Sequence, residues 1–123
     1  MERIISKIAA MGVPGLVLVL AMNATGYAGA AAITTALAAL GGPVGMLGGI
    51  AALGILGLIS EAIAKYGVDA IYKGVIKELY KRGESDESIK SKIDKYPLSK
   101  EQKRSLYDEL DKLRKKQEGK DGI

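Results

Sequence analysis

The chain has neither cysteine nor histidine. No disulfide framework is possible, and the thiolate and imidazole ligands of most zinc, haem and iron–sulfur sites are missing. Cys nucleophiles and His-based triads are excluded with them. A third absence is positional. Lys7 is the last charged residue before Glu61, so residues 8–60 form a run of 53 residues without Asp, Glu, Lys or Arg. Beyond it lie 16 of the 18 basic and 13 of the 14 acidic residues.

Length bounds what such a run can be. The 123 residues make one small domain. A bilayer-spanning helix needs about 20 apolar residues, so the run suffices for two spans with a turn, or for three short helices. Covering it with the 63 charge-rich residues that follow instead gives a thin coat, because a chain this small buries only about two-thirds of its unfolded surface. Lipid is the expected surrounding. The expected fold is all-α: a membrane helical hairpin, a long protruding helix and a C-terminal cytoplasmic helical cap.

Four segments follow. Residues 1–11 place Ile4, Ile5, Ile8 and Met11 on one helical stripe and read as an interfacial amphipathic lead-in, running into the first span. Residues 12–64 are the Gly/Ala-rich hairpin, interrupted at Pro14-Gly15 and Asn23–Gly26 and turning near 41–43, where Pro43 suits a helix start. The first arm fits one kinked span or two shorter helices. Residues 65–118 are the charged cytoplasmic helical region, and 119–123 a frayed tail, with fraying after Gln117. Residues 1–30 also carry a basic start, an apolar stretch and the small residues Ala28-Gly29-Ala30, the marks of a signal peptide. The chain is read with that segment retained, and the Asn23-Ala24-Thr25 glycosylation triplet as coincidence.

A single helix is expected from Pro43 to about Arg82, roughly 60 Å at 1.5 Å per residue. Glu61, Lys65, Asp69, Lys73 and Lys77 recur every fourth position as a charged ridge beside an apolar stripe from Val68 to Tyr80. Gly83 ends that helix, Ser85 caps the next, Pro97 stops it, and Ser99 with Gln102 makes a capping box. Ile89, Ile93, Leu106, Leu110 and Leu113 are few for an independent fold, so they should close a three-helix cap with residues 68–80. Basic residues flank the uncharged run on both sides, which puts both termini in the cytoplasm.

Helices in hydrocarbon associate where small residues let backbones approach. Ala24, Ala28, Ala32 and Ala36 share four-residue spacing in the first arm. Gly41, Gly45 and Gly49 read GxxxGxxxG, and Gly45, Gly48, Gly49 and Ala52 share one sector of the second arm. Either these faces join copies into a bundle, or they pack arm against arm within one monomer. Gly67 and Gly74 each cost about 1 kcal/mol in a helix relative to Ala. The helix therefore breaks there, or something, such as a neighbouring chain, packs closely, or a weak helix is tolerated.

No catalytic constellation accompanies the serines and carboxylates, and no metal or cofactor is implied. GGPVGMLGG lacks the Lys-Ser/Thr of a phosphate loop. Acids interleave with the C-terminal lysines, which disfavours nucleic acid despite a pI near 9.2. Residues 25–59 resemble the core of the interferon-inducible small hydrophobic protein family, which has bacterial relatives. They are also similar in style to the hairpins of pore-forming bacterial toxins and of phage holins. The resemblance implies a membrane-active protein, with cell death or anti-phage defence among its settings.

The expected function is a non-enzymatic membrane effector, in a bacterial inner membrane, that self-assembles through its Gly and Ala faces and permeabilises the bilayer. The alternatives are a membrane-anchored adaptor whose residues 84–118 bind a protein partner, a holin-like lysis protein, and a soluble assembly that buries the hairpins between copies.

Overall fold

The computed structural model describes residues 1–22, 27–41 and 49–121, and within these every side chain except those at 27, 28, 49–52, 117, 118, 120 and 121. Among the described residues seven α-helices follow in order: α1 (Glu2–Ala10), α2 (Val13–Met22), α3 (Tyr27–Gly41), α4 (Gly49–Tyr66), α5 (Val68–Lys81), α6 (Asp86–Ile93) and α7 (Lys100–Asp121). Among the described residues there is no strand, as the all-α expectation requires.

The text of α2, VPGLVLVLAM, is apolar on every side, so this helix has no face suited to water. It forms the axis of the core. Leu16, Val17, Leu18 and Val19 are fully buried, and α1, α3, α4, α5 and α6 all pack against it. Gly15 makes the closest approach. A Cβ there would lie 2.3 Å from the Ile8 carbonyl oxygen, so any larger residue would drive α1 and α2 apart.

The lead-in does not continue straight into the next helix. The chain reverses at Gly12, whose φ of +74° lies in the left-handed region, and the axes of α1 and α2 are bent by 114°. The sequence reading put this interruption at Pro14-Gly15. Proline has no N–H to lose in a first helical turn, so Pro14 sits inside α2 without breaking it, and Gly12 takes the turn. α1 then lies along α5, with Ile5, Ile8 and Ala9 buried. The first arm is thus two shorter helices, α2 and α3, packed on one another. Asn23–Gly26, where the arm was expected to kink or turn, and positions 42–48, which hold most of the expected hairpin turn, lie outside the described residues.

The helix expected to run unbroken from Pro43 to Arg82 is corrected to two. Gly67, with φ +86°, separates α4 from α5. The four-residue charge period reads the same through a one-residue break, so only the glycine itself marked it. Gly74 takes the other option, close packing, and the neighbour belongs to the same chain. A Cβ on Gly74 would meet Ile5 Cδ1 at 2.2 Å.

The cap closes largely as the pattern predicts. Gly83 (φ +100°) ends α5, where the Glu84 N–H donates to the Leu79 carbonyl at 3.0 Å. Ser85 Oγ accepts the Ser88 N–H at 3.1 Å. Ser99 and Gln102 satisfy one another's backbone N–H groups at 3.1 and 3.2 Å, the reciprocal capping box. Ile89, Ile93, Leu98, Leu106, Leu110 and Leu113 are buried. One detail differs: α5 serves the core around α2 as well as the cap. α7 runs from Lys100 to Asp121.

Among the described residues no single helix is long and apolar enough to cross a membrane. α1 and α2 taken together pass by length and composition, across their bend.

Candidate functional site

The uncharged run folds into two kinds of surface. α2 is spent on the core. α3 and α4 carry what remains outward, and as far as Ser60 their exposed described side chains are Ala30, Ala31, Thr34, Thr35, Ala38, Ala39, Leu53 and Ser60, with Gly54 and Gly57 open beside them. None carries a charge. Leu53 is 71% exposed, against the burial usual for a leucine. The threonines do not need water either: Thr34 Oγ1 donates to the Ala30 carbonyl at 3.0 Å and Thr35 Oγ1 to the Ala31 carbonyl at 2.8 Å. Behind this surface Ile33, Leu37, Leu40, Ile55 and Leu56 pack onto the core, which fixes which side of each helix faces outward.

The residues singled out from sequence distribute unevenly over it. Ala32 and Ala36 are fully buried, so these two pack helix on helix within the chain. Gly41 is open, with nothing within 4 Å of a Cβ. Ala24, Gly45 and Gly48 lie outside the described residues, as do the side chains of Ala28, Gly49 and Ala52. Gly67 is a backbone break and Gly74 is filled by Ile5. Gly54 and Gly57 were missed. They are exposed on α4, two helix-weakening residues with nothing within 4 Å of an added Cβ among the described residues. Their three-residue spacing in an uncharged segment was the available signal.

The charged ridge is exposed throughout but converges on nothing. Glu61 and Lys65 lie on α4 and Asp69, Lys73 and Lys77 on α5, divided by Gly67, and neither Glu61–Lys65 nor Asp69–Lys73 forms an ion pair. Lys65 instead places its ammonium 5.4 Å from the centre of the Tyr66 ring.

Polar order is concentrated in the cap. The Tyr80 hydroxyl donates to Asp86, the buried acid that starts α6, and Arg114 Nε of α7 lies 3.7 Å from the other oxygen of that carboxylate. Three helices meet at one carboxylate. Burial pushes the Tyr80 phenol well above its ordinary range, and the hydrogen bond to Asp86 adds to the effect. Tyr107 donates to Asp94 and is pushed up to about 12, first by desolvation and then by that bond. Glu84 is held below its usual value because Lys92 and Ser88 donate to it at 2.6 and 2.5 Å. The Tyr72 hydroxyl is buried without a hydrogen-bond partner, and burial raises its pKa, helped by the negative charges of Glu109, Asp69 and Asp108. The Tyr80–Asp86–Arg114 and Tyr107–Asp94 contacts tie helices together. Among the described residues no group of three or more acids is placed to hold a metal ion.

No family model, curated protein or solved structure matches the chain. What the geometry offers chemically is a surface that costs little to take out of water, attached to a charged cap that costs a great deal.

Proposed function

We propose that the chain is a small non-enzymatic membrane effector. The α3–α4 surface enters the bilayer, copies associate through small-residue faces that include Gly54 and Gly57, and the assembly permeabilises the membrane. The charged cap of α5–α7 stays in water on the cytoplasmic side. One observation carries this reading: the outward surface of α3 and α4 has no charge as far as Ser60, and its threonine hydroxyls are already bonded to their own helix. A bilayer demands satisfied polar groups of this kind. Small residues in turn allow the close approach that replaces hydrophobic drive between helices in lipid.

The test uses the full-length chain. It should stay in the membrane pellet after a carbonate wash and release entrapped dye from liposomes. Gly54→Leu with Gly57→Leu should lower the mass of the detergent-solubilised particle and the leakage together. Protein that is freed by carbonate and releases no dye at any protein-to-lipid ratio overturns the proposal.

A further inference from the structure

We infer that the cleft between the α1–α2 break, α3 and the C-terminal end of α6 holds the phosphate-bearing headgroup of an anionic lipid; the inference rests on the membrane reading above. The cleft has a volume of about 470 Å³, within the range of sites that take small molecules. Its lining divides by chemistry. Val13 and Pro14 of α2 and Ala39 of α3 supply apolar lining, while Lys92, Lys95 and Tyr96, at the end of α6 and just beyond it, supply the polar part.

The charges leave one cation for a ligand. Glu84 also lines the cleft, but its carboxylate is taken by the Lys92 ammonium at 2.6 Å, and that pair is internally neutral. Lys95 is exposed and has no ion-pair partner among the described residues. Thr35, on the α3 side, already donates its proton to Ala31. Selection for an anion therefore falls to Lys95, with the half-buried Tyr96 beside it. A lysine next to a tyrosine is the pairing that settles at headgroup level, ring against the apolar layer and polar ends toward water.

Position points the same way. The α3 lining belongs to the uncharged surface and the α6 lining to the charged cap, so the cleft lies where one gives way to the other. A free phosphate would use Lys95 and leave the apolar lining idle. A lipid uses both, phosphate on the lysine and glycerol and acyl carbons along Val13, Pro14 and Ala39.

The experiment measures binding of the full-length protein to vesicles of phosphatidylcholine alone and of phosphatidylcholine with one-quarter phosphatidylglycerol. A lysine at an anionic surface is worth about fivefold in binding. Lys95→Gln should lose about that factor on the anionic vesicles and nothing on the neutral ones. Ala39→Trp, which fills the cleft without removing a charge, should also abolish the preference for phosphatidylglycerol. Lys77→Gln, on the exposed ridge of α5, should keep it. Equal losses for Lys95→Gln and Lys77→Gln overturn the site in favour of diffuse surface attraction. Wild-type protein that binds both vesicles equally overturns the site and leaves the membrane reading standing, whereas protein that binds neither removes both. Millimolar inorganic phosphate that erases the preference, where chloride of equal ionic strength does not, overturns the lipid assignment in favour of free phosphate.

Discussion

The contact between Ile5 and Gly74 yields a prediction whose sign changes with the background. Replacing the glycine of a mid-helix position by alanine ordinarily stabilises by about 1 kcal/mol. Here the added Cβ would lie 2.2 Å from Ile5 Cδ1 and 3.1 Å from Cγ1, and overpacking of this kind costs roughly 1–3 kcal/mol. Gly74→Ala should therefore be neutral to destabilising, by about 0–2 kcal/mol once the two effects are combined. Ile5→Val removes the offending Cδ1 and leaves both γ-carbons, at a cost of about 0.5–1.5 kcal/mol on its own. In that background Gly74→Ala should turn stabilising, approaching 1 kcal/mol. The four proteins form a double-mutant cycle, and its coupling energy should be about 1–3 kcal/mol, the overpacking term itself. Urea unfolding followed by far-UV circular dichroism reads it. If alanine at position 74 has the same effect in both backgrounds, α1 is not seated on α5, and the fold described above is wrong in its central packing.

The phenols of the cap set the alkaline limit of stability. Tyr80 and Tyr107 have native pKa values raised above their unfolded value of 10, so the stability they contribute is complete below pH 10 and is lost as pH rises toward and beyond about 12. Tyr80→Phe should flatten part of that fall, and a pH series of melting temperatures that keeps its full slope refutes the assignment. Glu84 has the opposite sign: its lowered pKa gives stability that is present above the ordinary carboxylate range and lost as pH falls through it, so Glu84→Gln should reduce the acid-side slope. Ser99→Ala removes the acceptor for the Gln102 N–H and should cost about 0.5–2 kcal/mol in chemical denaturation. Gly54→Ala and Gly57→Ala meet no neighbour, so each should stabilise by up to about 1 kcal/mol; a loss of stability would show that something presses on that face.

The cap was legible in the sequence because its punctuation is local. Gly83, Ser85 and the Ser99–Gln102 pair each act on backbone groups within four residues, and the structure uses all of them. The centre was less legible. Nothing in VPGLVLVLAM distinguishes a helix wrapped by five others from one wrapped by lipid, since both surroundings require apolar side chains on all sides. The glycines show the same limit. Gly67 and Gly74 stand seven apart with the same apparent cost, yet one bends the backbone and the other receives a side chain from α1, 69 positions away in sequence. Gly54 and Gly57 stand outside the GxxxG register of Gly41, Gly45 and Gly49, so that spacing does not mark them.

Gly12 carries a consequence out of proportion to its size. Straightened at that residue, positions 2–22 would form one rod of about 31 Å with Pro14 in mid-helix, against the Ala10 carbonyl. Folded at it, the same positions are a jackknife whose blade is the core and whose handle grips α5 through Ile5. A single backbone angle, open to glycine and strained for every side chain, thus sets the direction in which α1 leaves α2 and so decides whether Ile5 reaches Gly74 at all.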